Sequence, residues 1–136
     1  MTRYLFDTNH ASALLQGDPR LLPRIQSVRR AQFSLSLPSI GELWFMVFNS
    51  ARELENRRDL ERLIRRCVVY SFDDAAAEEF GRIQTELRRI GRPIPAIDSQ
   101  IAAIARVHDL IILSSDRHFN YVPTLAVENW LAETSH

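Results

Sequence analysis

Short apolar runs alternate with helix-patterned segments from one end of the chain to the other, and few folds accommodate that alternation. Tyr4-Leu5-Phe6 reads as a strand closed by Asp7. Phe33, Leu35 and Leu37 alternate with Gln32, Ser34 and Ser36, the period of a second strand. Cys67 to Tyr70 forms a third and Leu110 to Leu113 a fourth. Leu125-Ala126-Val127 forms a short last one, followed by Trp130. Between them, Asp7-Thr8-Asn9 caps a helix through Leu15. Asp18-Pro19 opens another toward Arg30, with proline at the first helical position. Pro38-Ser39 opens a third that runs through Phe48, and a charged helix spans about Arg52 to Arg66. Asp73-Asp74 caps a long helix whose apolar residues Ala76, Phe80, Ile83, Leu87 and Ile90 share one face, and Gly91 stops it. A last helix runs from about Ile97 to His108. Leu110-Ile111-Ile112-Leu113 is apolar at every position, as a parallel strand covered on both faces requires. The pattern predicts an α/β fold, a three-layer αβα sandwich around a central, mostly parallel sheet. No linker or repeat interrupts it, so residues 1–136 read as one domain.

Composition removes several function classes. With 46% hydrophobic residues the chain has enough apolar side chain to form a core, which excludes a disordered tail protein. The 17 basic and 17 acidic residues cancel, so net charge says nothing for a nucleic-acid partner. Every basic residue is arginine, which excludes any chemistry that needs a lysine. Cys67 is the single cysteine and fits a reducing compartment; no run approaches the roughly 20 apolar residues of a membrane span, so a cytoplasmic protein without membrane contact is expected.

In parallel sheets, ligand sites form beyond the carboxyl ends of the strands, and acids gather at those places. Asp7 ends the first strand. Asp116 follows the apolar fourth strand after Ser114-Ser115. Asp98 falls in the first turn of the last helix, otherwise small and apolar. Glu42 is the sole charge between Pro38 and Arg52, on a helix apolar nearly all round, much of which should be buried. Each acid also has a plain reading: Asp7 and Asp98 as helix caps, Asp116 as a turn former, Glu42 on a thin exposed stripe. If the four converge, they repel: two unit charges about 4 Å apart cost roughly 4 kcal/mol at an effective dielectric near 20. A hard divalent cation relieves that cost, and oxygen-only ligands favour Mg2+ or Mn2+ over Zn2+. Such an ion suits phosphodiester hydrolysis, because it lowers the pKa of an attacking water and neutralises phosphate charge.

These motifs resemble those of the PIN-domain ribonucleases, and among them the VapC-type toxins of toxin–antitoxin pairs. Tyr4-Leu5-Phe6-Asp7-Thr8-Asn9 is similar to the family's opening strand and Asp-Thr-Asn motif. Ser39-Ile40-Gly41-Glu42-Leu43 is similar to the second motif, Gly91 through Asp98 to Ala105 to the third, and Leu113-Ser114-Ser115-Asp116-Arg117-His118-Phe119 to the fourth. Val127-Glu128-Asn129-Trp130 is like the family's closing strand. The resemblance spans nearly the whole chain. It implies an acidic quartet of Asp7, Glu42, Asp98 and Asp116, with Asp7 and Asp98 as direct metal ligands and Glu42 and Asp116 acting directly or through water. It implies Asn9 and Ser114 as supporting polar groups; Ser114 stands where threonine is common. It also implies Mg2+ or Mn2+ as cofactor, an RNA substrate, a VapB-like antitoxin and a homodimer. The activity implied is endoribonucleolytic hydrolysis by metal-activated water, leaving a 5′-phosphate and a 3′-hydroxyl. The alternative is a PIN-fold interaction module that has lost its chemistry.

Other acid-site αβα proteins fit less well. A receiver domain needs a lysine, a dehalogenase-type phosphatase needs Asp where Asn9 stands, and nucleotide folds need a glycine-rich first turn. Arg117 directly follows the fourth motif and is the best candidate for touching a phosphate. Arg88, Arg89 and Arg92, and separately Arg20, Arg24, Arg29 and Arg30, read mainly as solvated helix faces. His118 reads as a structural residue, and His10 has no evident partner. Trp44, Phe45 and Phe48 divide between core and dimer surface, and Trp130 is either a lid on the core or a partner contact.

Overall fold

The computed structural model describes residues 1–132. The last four residues of the expected domain lie outside them. Five strands form one sheet: β1 (Thr2–Phe6), β2 (Ala31–Ser36), β3 (Val68–Tyr70), β4 (Ile111–Leu113) and β5 (Val127–Glu128). Their order is β3-β2-β1-β4-β5 and every pairing is parallel. Six α-helices connect them: α1 (Thr8–Leu15), α2 (Leu21–Ser27), α3 (Leu37–Phe48), α4 (Glu53–Arg66), α5 (Asp74–Arg89) and α6 (Ala96–His108). A short 3-10 helix, Arg117–Tyr121, follows β4.

Alternation along the strands sorts side chains into two cores. Leu5 and Ile112 face α5 and α6, packing with Ile83, Leu87, Ile101 and Ile104. Tyr4, Phe6 and Leu113 face the other way, onto residues of α1 to α4 such as Leu21, Leu43 and Leu60. Helices therefore cover both faces, the three-layer arrangement that the strand pattern predicts. Trp130 is 2% exposed and packs edge-on against Tyr4 at 4.9 Å, so it is a lid on the second core. Gly91, at φ 68°, ends α5 in the left-handed region where a side chain would be strained.

Three local expectations are corrected. α2 begins at Leu21, because Asp18 spends its carboxylate on Arg20 in a preceding turn; it ends at Ser27, because Val28 turns extended. Leu37 is the first residue of α3, not the end of a strand: the Ser36 hydroxyl caps the helix by accepting the Ser39 N–H at 3.2 Å. Much of α3 is also uncovered, with Phe45 70%, Phe48 53% and Met46 41% exposed, so only the stripe through Ile40, Leu43 and Val47 is core. Glu42 is accordingly half-buried at the boundary of that stripe.

Candidate active site

Chain connection changes side between β1 and β4. From β1 the chain moves outward through β2 to β3, and β4 then pairs on the opposite side of β1. The carboxyl ends of β1 and β4 flank a crevice at that reversal, where open α/β sheets place their ligands. Asp7 leaves β1 there, its N–H donating to the Leu113 carbonyl at 3.1 Å and so extending the ladder by one bond. Ser114 leaves β4 beside it, its own N–H held by the Glu128 carbonyl at 2.9 Å. α3 starts from the carboxyl end of β2, which brings Glu42 to the same edge in its second turn. α6 runs back toward the start of β4, so its own N-terminus, with Asp98, also lies at this edge.

Asp7, Glu42, Asp98 and Asp116 line one open cleft of about 530 Å3, together with Thr8 and Asn9. Four elements distant in sequence supply the acids, and Phe45, Met46 and Ile97 add apolar lining. Asp7 is 4% exposed and does two jobs. Its Oδ1 caps α1 by accepting the His10 backbone N–H at 2.7 Å, and its Oδ2 accepts a hydrogen bond from the Ser114 hydroxyl. Ser114, itself buried, in turn accepts the Asp116 N–H at 2.9 Å. One hydroxyl thus ties two acids of the cleft together and fixes the loop after β4. Asp116 caps the 3-10 helix through the His118 N–H at 2.9 Å. Glu42 is steadied by the Thr8 hydroxyl, which donates to its Oε1 at 2.5 Å. Capping and site roles coincide at Asp7 and Asp116, so the plain reading of these two was right about local bonding without excluding the cleft; the plain reading of Asp98 as a cap is corrected, since Pro95 stands at the α6 N-cap and no side chain bonds there.

His118 is the site residue that sequence reasoning undervalued. Its Nδ1 lies 3.0 Å from Asp98 Oδ2 and 3.0 Å from Asp116 Oδ1. Atoms of Asp98, Asp116 and His118 approach within 4.8 Å of one another, close enough to share a cation. The spacing Asp116-x-His118 was the available signal, but its meaning depended on Asp98 arriving from α6. Burial, above all, pushes the Asp98 carboxyl above its ordinary value; the charges of Asp116 and Glu42 push the same way, while the His118 hydrogen bond opposes them. Thr8 was likewise not singled out. Arg117 is exposed at the start of the 3-10 helix and is not among the residues lining the cleft. Among the other arginines, Arg92 lies over the Tyr121 ring at 4.9 Å and Arg20 pairs with Asp18.

The PIN domain pattern matches residues 4–125. The chain belongs to the PIN-domain family. Over 131 residues it is 30% identical to the tRNA(fMet)-specific endonuclease VapC of Shigella flexneri, covering 96% of this chain and 99% of that protein. It is 29% identical over 133 residues to ribonuclease VapC2 of Haemophilus influenzae, covering 96% of this chain and all of the relative. Among solved structures, DNA-bound VapBC from Salmonella typhimurium superposes with a TM-score of 0.87 at 26% identity, covering 96% of this chain and 99% of that one. In this PIN domain the oxygen-rich donor set fits a hard divalent cation: three acids sit only partly buried around one cleft, and the fourth is oriented from behind by a serine. Among the described residues no helix is long and apolar enough to cross a membrane.

Proposed function

We propose that this PIN domain is a Mg2+- or Mn2+-dependent endoribonuclease, the toxin of a toxin–antitoxin pair, acting in the cytoplasm. The observation that carries the reading is the convergence of Asp7, Glu42, Asp98 and Asp116 on one cleft at the topological switch point. Names borne by the full-length relatives, a tRNA endonuclease and a ribonuclease, support RNA as the substrate class. The VapBC complex supports a VapB-like antitoxin as partner.

Asp7 and Asp98 would hold the cation, with Glu42 and Asp116 contributing directly or through water. The ion supplies Lewis acidity, lowering the pKa of an attacking water and neutralising charge on the scissile phosphate. The chain's own residues do the positioning. Ser114 holds Asp7 and Asp116 in fixed relation, and Thr8 holds Glu42. His118, between Asp98 and Asp116, limits their repulsion. Asn9 lines the mouth of the cleft, and Arg117, exposed beside Asp116, is available to a phosphate of a bound strand. Uncovered Phe45, Met46 and Phe48 on α3 give a homodimer an apolar face to bury.

The test is incubation with labelled RNA and end-mapping of the products. Mg2+-dependent cuts leaving 5′-phosphate and 3′-hydroxyl ends, absent in EDTA and in Asp98→Asn, are expected. Undiminished cleavage in EDTA, or by the Asp98→Asn protein, refutes the reading.

A further inference from the structure

His10 belongs to none of the roles assigned so far, yet it is the most deeply enclosed polar ring in the described structure. Its exposure is 0%. Its Nε2 accepts the backbone N–H of Trp130 at 3.1 Å, a contact spanning 120 residues of sequence. A ring nitrogen that accepts carries a lone pair, so the imidazole proton resides on Nδ1. That Nδ1 has no hydrogen-bond partner, the one buried side-chain polar atom so placed among the described residues. It lies 3.4 Å from Asp7 Oδ1, near enough for attraction but not aligned as a hydrogen bond.

An N–H left unpaired in a dry interior is costly, and structures keep such groups only with reason. Here the reason is in its aim. Asp7 is addressed at Oδ1 by the His10 backbone N–H and at Oδ2 by the Ser114 hydroxyl. The imidazole, fully buried, lies 3.4 Å from the same carboxylate. Ligating side chains are commonly oriented by a further hydrogen-bonding group of fixed tautomer, and weakening that group weakens the metal.

We propose that His10 is a positioning residue that orients the Asp7 carboxylate for a divalent cation through the attraction of its Nδ1–H, 3.4 Å from Oδ1 and free to close into a hydrogen bond, with the Trp130 backbone holding the tautomer. The strap after β5 thereby takes part in the cation site without touching it. This rests on the nuclease reading, which makes Asp7 a ligand.

Two variants of the full chain separate positioning from anchoring. His10→Gln reaches the Trp130 N–H with a side-chain oxygen but has no donor at the Nδ1 position. His10→Asn keeps a short amide donor near Asp7 and gives up the Trp130 bond. Titration calorimetry with Mn2+ alone is the readout, with thermal unfolding in parallel. His10→Gln is expected to weaken Mn2+ binding by about tenfold or more at a melting temperature near wild type, while His10→Asn stays within about threefold of wild type although it melts lower. Wild-type Mn2+ affinity in His10→Gln overturns the proposal and leaves the nuclease reading standing. If His10→Gln does not fold, His10→Asn decides: retained affinity supports the proposal, lost affinity overturns it. Absence of Mn2+ binding by the wild-type protein refutes the nuclease reading, and this proposal with it.

Discussion

Replacing Asp98 by asparagine should stabilise the metal-free protein and abolish its response to metal. Asparagine is nearly isosteric, and its carbonyl still accepts from His118 Nδ1, now 3.0 Å from Asp98 Oδ2. The substitution removes the charge. Asp98 and Asp116 present oxygens within 4.8 Å of each other, so their repulsion is about 3.5 kcal/mol at an effective dielectric near 20. Their side chains are 20% and 29% exposed, and solvent screening takes away about half, leaving a gain of about 1–2 kcal/mol. For a domain of this size that is about 3–8 °C in Tm. The sign with pH follows from the raised Asp98 carboxyl. A group raised in the folded state favours folding at low pH and loses that contribution as pH rises, so the asparagine advantage is full at neutral pH and disappears in acid, where wild-type Asp98 takes up its proton. Added Mn2+ should reverse the order, since a ligand at a hundredfold excess over its Kd stabilises by about 2.7 kcal/mol and only the wild type retains the site. Differential scanning calorimetry at pH 7.5 with and without Mn2+, repeated near pH 4, measures all of this. An Asp98→Asn protein less stable than wild type without metal, or equally stabilised by Mn2+, would show that the acids do not form a strained cation site.

Ser114→Ala leaves Asp7 Oδ2 and the Asp116 N–H without their buried partner, and urea unfolding should report a loss of about 2–3 kcal/mol, whereas Ser114→Thr, which keeps the hydroxyl, should stay within about 1 kcal/mol of wild type. Arg106 bonds both Glu79 and Glu86 between α5 and α6 while only 13% exposed; Arg106→Ala takes the partner from Glu86, whereas Glu79 keeps Arg82 at 3.0 Å, so the change should cost about 1–2 kcal/mol by the same assay, and an unchanged midpoint would mark the network as unimportant. The Arg106 hydrogen bond holds the Glu86 carboxyl below its ordinary value, so this contribution is complete above that ordinary value and fades as acid protonates Glu86. Burial pushes the Cys67 thiol up to about 11. Iodoacetamide at pH 8.5 should therefore modify the folded protein roughly a hundredfold more slowly than the urea-unfolded chain, and equal rates would contradict the burial.

The strand and helix pattern was legible because burial imposes period on sequence. Leu110 to Leu113 had to be covered on both faces, and Ala76, Phe80, Ile83, Leu87 and Ile90 had to share one side. Sheet order was less accessible, since nothing local distinguishes a neighbour of β1 on one side from one on the other. Errors cluster at element ends, where single hydrogen bonds decide: the Ser36 cap moved Leu37 from strand to helix. α3 misled for a different reason. Apolar residues all round a helix suggest a covered helix, but coverage depends on what packs there: Phe45 stays largely exposed, and Phe48 is covered only in part by Trp44 and the Arg57 guanidinium.

The four acids could be placed at the carboxyl ends of strands or the start of a helix from the order of residues alone, because parallel α/β topology sends all such points to one edge. That is a constraint of chain geometry, and it made the cleft and its charge foreseeable. Which side chains hold those acids in place was not foreseeable. Ser114 meets Asp7 across 107 positions, His118 meets Asp98 across 20, and His10 meets Trp130 across 120. A hydrogen bond needs alignment within a few tenths of an ångström, and only the packed arrangement of both cores sets positions that finely.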